Sequence, residues 1–538
     1  MKNIKIFSIL AAAAALFACT TMDEIVPQSG TMLTSQVQET NKLVPSRANA
    51  SFLGMLTSIG QPIKIATNGR ADDFGLLMLL FSSDVEGADV LIADSGYNWF
   101  SVCGAYTSRN ANYWNPYLRY SYIYNEIAAA NEFIASISED AAQETQYLVA
   151  QAYAIRAYAY MLAAPAFQFS YATSKSKPCV PIVTADTPDF THNPRATVEA
   201  VYTQIMNDLN FAVEHLEGYK RPSKMNLDKN VALGLRARAN LAMGNWEDAA
   251  ADAEAALEGY TPASIEEVSV PSFYNIAEHN WIWGYDMTTE VAKAYPYATM
   301  DSWLRSFSGD GYAPACQVYS RINTLLWDKI PASDVRKGWW VDENLESPLI
   351  KGLLWDNGQP VATAEVEDVK LAFLPYTNVK FGVDKIATIT NDNDFPLMRA
   401  EEMILIKAEA LAKGGSVAEG KQVLEDFVKT YRDPSYSADA NGLSFADEIW
   451  FQRRVELWGE GFFLGDRNRL QKPLVRFHGN KENNYPPTYR FNMAANDGYL
   501  LMRFPQSEMN TNFDIVDNTE GSAPVKDQNP NLRDGVTD

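Results

Sequence analysis

The densest group of side chains that could do chemistry lies near residue 460, where Arg453, Glu456, Glu460, Asp466 and Arg469 follow one another closely. Two carboxylates beside a guanidinium could support acid–base catalysis. However, Arg453 and Glu456 stand three residues apart on a predicted helix, where opposite charges pair across one turn. Asp466 and Arg469 have the same spacing. We therefore predict a structural ion-pair network here rather than a catalytic centre.

No other segment carries a recognisable catalytic or metal-binding motif. The four histidines are scattered without the spacing of a zinc site. The chain has no phosphate-binding glycine loop, dinucleotide fingerprint or nucleophile elbow. Residues 391–394 (Asn-Asp-Asn-Asp) lack the glycine and terminal glutamate of a calcium loop, so a turn is the better interpretation and calcium is left open. The sequence therefore predicts no metal, no cofactor and no enzyme activity.

The first 18 residues have the layout of a bacterial signal peptide. Lys2 and Lys5 precede an apolar run, and Ala18 stands directly before Cys19. Residues 16–19 (Leu-Phe-Ala-Cys) resemble a lipobox, which implies cleavage before Cys19 and lipidation of that cysteine. An ordinary signal peptide followed by an incidental cysteine is the alternative. We predict an exported protein that a lipid anchors to the membrane.

The acidic composition limits the kinds of partner. A formal charge of −22 disfavours nucleic acid and anionic membrane surfaces. No later apolar run is long enough for a membrane-spanning helix. Besides Cys19, the cysteines at 103, 179 and 316 are odd in number and far apart. They predict no disulfide framework, although a single bridge is left open.

Helical periodicity dominates two parts of the chain and predicts the elements that must position any site. Two pairs of helices, within 231–257 and 398–431, resemble tetratricopeptide repeats, in which small alanines let helices approach closely. The predicted helices are 113–137, 143–162, 197–216, 231–244, 245–257, 398–413, 417–431 and 445–457.

The remaining segments are rich in Gly, Pro, Asn and aromatic residues. Their aromatic content is too high for disorder, so we interpret them as binding loops. Residues 282–285 and 371–374 are predicted short strands, and the polar residues 19–50 a tether. The predicted fold is mostly α, a tetratricopeptide-like helical-repeat scaffold with large irregular aromatic-rich loop insertions. Within a body of residues 51–538, the scaffold is mainly 112–260 and 395–470, and the insertions are mainly 61–111, 261–394 and 471–538.

Several segments, in chain order, resemble the SusD/RagB family of outer-membrane lipoproteins. Residues 114–134 resemble the family's first long helix, 150–169 its Arg-Ala-Tyr helix, and 397–410 a later repeat helix. The strongest match is 453–461 (Arg-Arg-Val-Glu-Leu-Trp-Gly-Glu-Gly), and 501–510 resemble the closing segment. The resemblance implies a SusD-like fold and a lipid-anchored location on the outer face of the outer membrane. It also implies capture of an oligosaccharide or polysaccharide for a SusC-like TonB-dependent transporter, without a reaction.

A glycan site needs exposed aromatic rings beside hydrogen-bonding groups, because sugars present flat C–H faces edged with hydroxyls. Two insertions have this composition, and the resemblance implies ligand contacts in both. By contrast, Trp114, Trp246 and Trp458 lie on predicted helices and are expected to be structural. The predicted ligand-binding residues are Tyr97, Asn98 and Trp99 in the first insertion, Tyr295, Tyr297 and Trp303 in the second, and Arg70 and Asp72 beside them.

Two alternatives to glycan capture are left open. Some members that resemble RagB hold peptides, and the clustered Trp and Tyr residues are what favours glycan here. A surface glycoside hydrolase is the less favoured alternative. It would need two carboxylates about 5 to 9.5 Å apart in a cleft, and spacing in sequence does not exclude such a pair.

Overall fold

The structure is a computed structural model. It describes residues 32–66, 69–94, 98–306, 311–350, 354–356, 359–361, 374–382, 390–532 and 537. The predicted signal peptide with Cys19, the predicted ligand residue Tyr97, and residues 371–373 of one predicted strand lie outside the described residues.

Helices supply most of the regular structure. They are α1 (Thr34–Leu43), α2 (Pro45–Ser58), α3 (Leu76–Val85), α4 (Ser101–Gly104), α5 (Trp114–Ala135), α6 (Gln143–Phe167), α7 (Tyr171–Ser174), α8 (Val198–His215), α9 (Lys229–Met243), α10 (Trp246–Ala256), α11 (Ile265–Val268), α12 (Thr289–Ala294), α13 (Met300–Leu304), α14 (Tyr312–Cys316), α15 (Thr324–Trp327), α16 (Ala400–Lys413), α17 (Val417–Tyr431), α18 (Phe445–Glu456), α19 (Phe463–Arg469) and α20 (Gln506–Thr511).

The described strands are short: β1 (Val90–Leu91), β2 (Trp281–Tyr285), β3 (Arg321–Ile322), β4 (Leu354–Asp356), β5 (Gln359–Val361) and β6 (Phe395–Arg399). They form three antiparallel pairs, β1 with β3, β2 with β6 and β4 with β5. Short 3₁₀ helices cover Val335–Trp339, Pro348–Ile350, Pro487–Tyr489 and Gly498–Leu500.

The repeat-like pair α9–α10 shows why the local sequence folds as predicted. Asp228 caps α9 by accepting a hydrogen bond from the backbone N–H of Val231 at 3.1 Å. Gly244 ends α9 with φ of +84°, a left-handed conformation that glycine adopts without strain. Ala249 and Ala253 of α10 are fully buried, which lets the two helices pack closely. The helices α16 and α17 also pack against each other as a pair, and α10 packs against α16.

The predicted helices are confirmed, with two boundary differences that have physical causes. The helix α6 continues past the predicted end to Phe167 and contains Pro165. Met398 and Arg399, predicted to begin a helix, instead end β6 and pair with β2. Strand pairing and burial on both faces outweigh the helical periodicity of so short a stretch.

The predicted tether is wrong over its second half, because residues 34–43 and 45–50 are helical and packed on the body. The side chain of Gln38 donates a hydrogen bond to the carbonyl of Ala135 at 2.9 Å. Asn41 is buried, and its side-chain amide donates to the carbonyl of Ser136 at 3.1 Å. A tether within the described residues is therefore limited to the few residues before Thr34.

Candidate functional site

The first insertion presents an arginine that a neighbouring carboxylate holds in place. Arg70 donates from Nε to Asp72 Oδ1 at 2.9 Å and from Nη2 to Asp72 Oδ2 at 2.7 Å. Asp72 is buried, and burial raises the pKa of its carboxyl although the Arg70 guanidinium opposes that rise. Such a two-bond contact fixes the guanidinium plane as well as its position.

Two tryptophan rings contact this guanidinium. The Arg70 guanidinium carbon lies 4.7 Å from the centroid of the Trp99 ring and 5.1 Å from that of Trp114. These are cation–π distances. Trp99 is half-buried, whereas Trp114 and its neighbour Tyr113 are exposed by 41% and 46%.

A cavity of about 360 Å³ opens at this point of the surface. Its volume is in the range of pockets that hold small ligands. It combines aromatic rings with amides, hydroxyls and one ion pair. The residues that line it are Arg70, Asp72, Asn98, Trp99, Ser101, Val102, Ser108, Tyr113, Trp114 and Asn115.

Trp114 was expected to be structural, and this expectation is wrong. It is the first residue of α5, so its ring lies beyond the packed part of that helix, at the cavity. Residues 107–112, which precede α5, are mainly polar, and this polarity could have indicated that the first turn of the helix is exposed. Tyr113 and Asn115 were missed for the same reason.

The two residues next to Trp99 in sequence, Asn98 and Phe100, hold it in position. Asn98 is buried, its side-chain N–H donates to the carbonyl of Ala93, and its Oδ1 accepts from the backbone N–H of Phe100 at 3.1 Å. Phe100 is also buried and packs edge-on against Phe81 with ring centroids 4.7 Å apart. Asn98 lines the cavity, but both ends of its amide serve to hold the loop that carries Trp99.

The second insertion meets the first through Tyr312. The Tyr312 hydroxyl lies within hydrogen-bonding reach of the Trp99 side chain, and burial raises its pKa. Tyr295 donates from its hydroxyl to the carbonyl of Gly69. Tyr297 is exposed, and its ring centroid lies 6.3 Å from that of Tyr312. Contacts through the buried Tyr312 therefore connect Tyr297 with Trp99, and we call the rings of Trp99, Trp114, Tyr295 and Tyr297 the aromatic surface.

The predicted ligand-binding role of Trp303 is wrong, because this residue is fully buried. Its ring stacks on that of Tyr312 with centroids 4.4 Å apart, and its indole N–H donates to the carbonyl of Ala71 at 3.0 Å. A ring enclosed in this way offers no face to a ligand. Trp303 instead packs behind the surface and ties the second insertion to the first.

Residues 391–394 anchor the second insertion. Asp394 accepts hydrogen bonds from the backbone N–H groups of Ile276 at 2.8 Å and Met287 at 3.0 Å. Asn391 donates to the carbonyl of Pro296 at 2.7 Å. Burial raises the pKa of Asp394 to about 6. No group of three or more metal-ligating side chains occurs among the described residues. The structure assigns no turn to residues 391–394, which are irregular and hold the neighbouring loops through their side chains.

The charged group near residue 460 is the predicted ion-pair network, with one difference in pairing. Asp466 and Arg469 pair at 2.8 Å as predicted. Arg453 pairs with Asp466, also at 2.8 Å, rather than with Glu456. Glu456 is fully buried and binds Arg432 at 2.8 Å.

The two other cations on Glu456 are Arg336 and Arg399, each at 3.3 Å. Burial alone would raise the pKa of Glu456, but these guanidiniums, Arg432 foremost, hold it well below its usual range. A carboxylate that three cations engage in the core is not free for catalysis, and its removal would leave buried guanidiniums unpaired.

Comparisons with known proteins identify the family. Residues 76–241 match a SusD-like family described as "Starch-binding associating with outer membrane", and residues 372–521 match the SusD family, SusD/RagB. Together the two matches cover more than half of the chain. The chain belongs to the SusD/RagB family. Its members are nutrient-binding proteins of the outer membrane.

Solved SusD-like structures share the fold. A SusD-like carbohydrate-binding protein from Bacteroides vulgatus has a TM-score of 0.70 at 24% identity, over 88% of this chain and 97% of that one. A SusD superfamily protein from Bacteroides thetaiotaomicron has a TM-score of 0.67 at 19% identity, over 88% of this chain and 99% of that one. No curated protein sequence matches the chain. The predicted mostly α, SusD-like fold is confirmed.

The family matches cover the two parts of the site unequally. The first includes Trp99 and Trp114, whereas Arg70 and Asp72 precede it. Tyr295 and Tyr297 lie between the two matched segments. The SusD-like core is thus common to the family, while part of the aromatic surface belongs to segments that the family models do not match. Among the described residues no helix is both long and apolar enough to cross a membrane.

Proposed function

We propose that this SusD-like protein binds glycan at the cell surface and delivers it to a SusC-like TonB-dependent transporter. The observation that carries the proposal is the contact of Arg70 with both Trp99 and Trp114 at an open cavity of about 360 Å³. This arrangement supplies ring faces and a fixed donor group side by side.

The energetics of this surface suit a weak but useful sugar affinity. A ring that buries on the order of 100 Å² of apolar surface contributes about 2.5 kcal/mol. Two or three such rings offset much of the cost of association. Trp99, Trp114 and Tyr297 are the described rings that offer exposed or half-exposed faces.

The charge at the cavity favours neutral sugars. Arg70 and Asp72 form an ion pair with no net charge. Two of the Arg70 nitrogens bind Asp72, which leaves Nη1 to donate to a sugar hydroxyl. A sulfate or uronate would meet the Asp72 carboxylate beside this donor. We therefore expect neutral oligosaccharides to bind more tightly than their acidic counterparts.

Binding rather than hydrolysis is what the cavity supports. Of the described residues that line it, only Asp72 carries a carboxylate, and Arg70 engages both of its oxygens. A glycoside hydrolase needs a pair of carboxylates about 5 to 9.5 Å apart. Incubation of a bound oligosaccharide with the protein should yield no shorter products, and release of such products would contradict the proposal.

A glycan array followed by calorimetry on the protein lacking residues 1–19 tests the proposal directly. We expect binding of a neutral oligosaccharide that Trp114→Ala weakens. The matched control is Phe513→Ala, because Phe513 is an exposed ring that does not line the cavity. Binding of peptides but not of glycans, or equal loss in both variants, would show that the proposed function is wrong.

The membrane and transporter parts of the proposal have separate tests. Cys19→Ala should leave a folded protein that fractionates away from membranes and incorporates no labelled fatty acid. The helical scaffold offers broad rigid surfaces for a large partner, so co-purification with the transporter should survive Tyr297→Ala. Membrane retention of labelled Cys19→Ala, or loss of the transporter in Tyr297→Ala, would contradict these assignments.

A further inference from the structure

A second cavity, of about 160 Å³, lies among the helices of the scaffold. Its walls come mainly from α6, α9 and α16 together with the segment 460–469, which includes α19. None of the residues that line it belongs to the aromatic surface or to the cavity beside Arg70. The proposed function leaves this scaffold cavity without a role.

Much of the wall of the scaffold cavity is apolar. Met161, Leu162 and Pro165 of α6, Ala242 of α9 and Leu464 of α19 line it, and all five are half-buried. Their partial exposure indicates that a small molecule can contact them. An engineered apolar cavity of about 150 Å³ in another protein takes up benzene, so an apolar body of that size fits here.

Every charged side chain in the wall is already paired with an opposite charge, at 2.5 to 2.8 Å. A charged ligand would therefore lose its water without finding a free partner, which is costly. The walls favour an uncharged ligand for this reason. The pairs are Arg119 with Glu86, Arg238 with Glu402, Arg453 with Asp466, Arg469 with Glu409 and Asp466, and Glu460 with Lys380 and Arg399.

Two tyrosines in the wall keep their hydrogen-bonding capacity. Tyr171 of α7 and Tyr202 of α8 are 9% and 8% exposed, and their ring centroids lie 5.2 Å apart. Neither hydroxyl forms a hydrogen bond within the described part of the chain, and neither is among the unpartnered polar atoms that are sealed from solvent. Burial raises the pKa of Tyr202, so its hydroxyl stays uncharged and able to donate. We call these two residues the tyrosine pair.

Gly465 leaves a gap in one wall. It lies within α19 and lines the scaffold cavity, and a Cβ atom added to it would meet no atom within 4 Å. A side chain at this position would therefore occupy open space rather than displace packed neighbours. The gap gives a means of filling the cavity without straining the fold.

We infer that the scaffold cavity binds a small uncharged molecule, with a compact apolar body against Met161 and Leu162 and one hydrogen-bonding group at the tyrosine pair. The paired charges distinguish this ligand from a carboxylic acid or an ammonium ion. The free hydroxyls distinguish it from a plain hydrocarbon. The cavity is smaller than the roughly 300 Å³ at which pockets for larger ligands begin, so the site is independent of the proposed glycan binding.

Calorimetry with phenol as the probe tests the inference, with benzoate as its charged counterpart. We expect phenol to bind at one site and benzoate to bind about tenfold more weakly or worse. Thermal melting with and without phenol provides a second measurement, since a ligand of the folded state raises the melting temperature. Absence of phenol binding, or equal affinity for benzoate, would overturn the inference.

A filling variant locates the site. Gly465→Leu should weaken phenol binding by about tenfold or more, with an unchanged or higher melting temperature. Gly54→Leu is the matched control, because Gly54 also lies in a helix and a Cβ added to it meets nothing within 4 Å. If Gly465→Leu fails to fold, Ala242→Leu narrows the same cavity from α9. Phenol binding that survives in the folded filling variant would overturn the inference.

Removal of the two hydroxyls tests the polar end of the site. The double variant Tyr171→Phe/Tyr202→Phe keeps both rings and should weaken phenol binding about three- to tenfold. Toluene, which has a similar apolar body without a hydroxyl, should bind wild type and variant equally. If the double variant fails to fold, Tyr202→Phe alone makes the same comparison. An unchanged phenol affinity, or an equal loss for toluene, would overturn the inference.

Discussion

The guanidinium of Arg70 lies 4.7 Å from the ring centroid of Trp99. Because Asp72 fixes the guanidinium through two hydrogen bonds, the contact also fixes the ring. Cation–π contacts at partly exposed sites contribute about 0.5–1 kcal/mol. The contact therefore helps to preorganise Trp99 before any ligand arrives, which lowers the entropic cost of binding.

Replacement of Trp99 by alanine should weaken glycan binding by at least about tenfold. A stacking face of about 100 Å² contributes about 2.5 kcal/mol, which exceeds the roughly 1.4 kcal/mol that a factor of ten requires. Calorimetry with the best oligosaccharide from the array measures the loss. Phe513→Ala, which removes an exposed ring elsewhere, should leave the affinity unchanged.

Thermal melting of Trp99→Ala separates binding from packing. Truncation of a fully buried aromatic residue costs about 3–5 kcal/mol of stability, and the half-buried Trp99 should cost clearly less. Trp303→Ala, at a fully buried ring, should reach that range. A large drop in the melting temperature of Trp99→Ala with unchanged glycan affinity would show that Trp99 is a packing residue.

Arg70→Lys should weaken glycan binding although the positive charge is kept. Lysine cannot make the two-bond contact with Asp72 or present a planar group to the two rings. We expect a loss of about tenfold in affinity with little change in the melting temperature. Arg490→Lys is the control, since Arg490 pairs with Asp527 at an exposed site away from the cavity. Equal affinities for wild type and Arg70→Lys would contradict a role in ligand contact.

Glu456→Gln should destabilise the protein by about 3–5 kcal/mol, because it leaves buried guanidiniums without their shared carboxylate. Urea unfolding measures the loss. Glu217→Gln removes the exposed pair with Lys229 and should cost no more than about 0.5 kcal/mol. A small loss in Glu456→Gln would show that the network does not hold the helices together.

The contribution of Glu456 to the free energy of unfolding should depend on pH in a direction that follows from its lowered pKa. The pKa of Glu456 is lowered from its ordinary value of 4.5, by Arg432 foremost and against the effect of burial. Its stabilising effect is therefore fully present above the ordinary pKa and is lost as pH falls through the lower folded-state pKa. The stability difference between wild type and Glu456→Gln should shrink only in strong acid.

The contribution of Asp394 to the free energy of unfolding should depend on pH in the opposite direction. Burial raises its pKa from 3.8 to about 6, so the folded state binds a proton that the unfolded chain has already lost at pH 5. The contribution of Asp394 to the free energy of unfolding therefore falls as pH rises between these two values. In Asp394→Asn this fall should be absent, and the melting temperatures of variant and wild type should converge or cross with rising pH. Parallel melting curves across that range would contradict the raised pKa.

The sequence by itself determined the helical scaffold, because helix formation depends on neighbours within a few residues. The apolar period predicts α9, and the structure adds two local features at its ends, the Asp228 cap and the left-handed Gly244. The same holds for the Asp466–Arg469 pair, whose members lie on one helix. Ordered motifs along the chain were also sufficient to indicate the family.

Only the tertiary structure decided which aromatic rings are available to a ligand. Trp303 and Trp114 are both tryptophans near polar loops, yet the first is enclosed and the second is exposed. Arg453 finds Asp466 rather than Glu456 because the chain turns back after α18. Burial and long-range pairing depend on segments far apart in sequence, such as Trp303 and Ala71, and no local pattern encodes which distant segment will cover a given side chain.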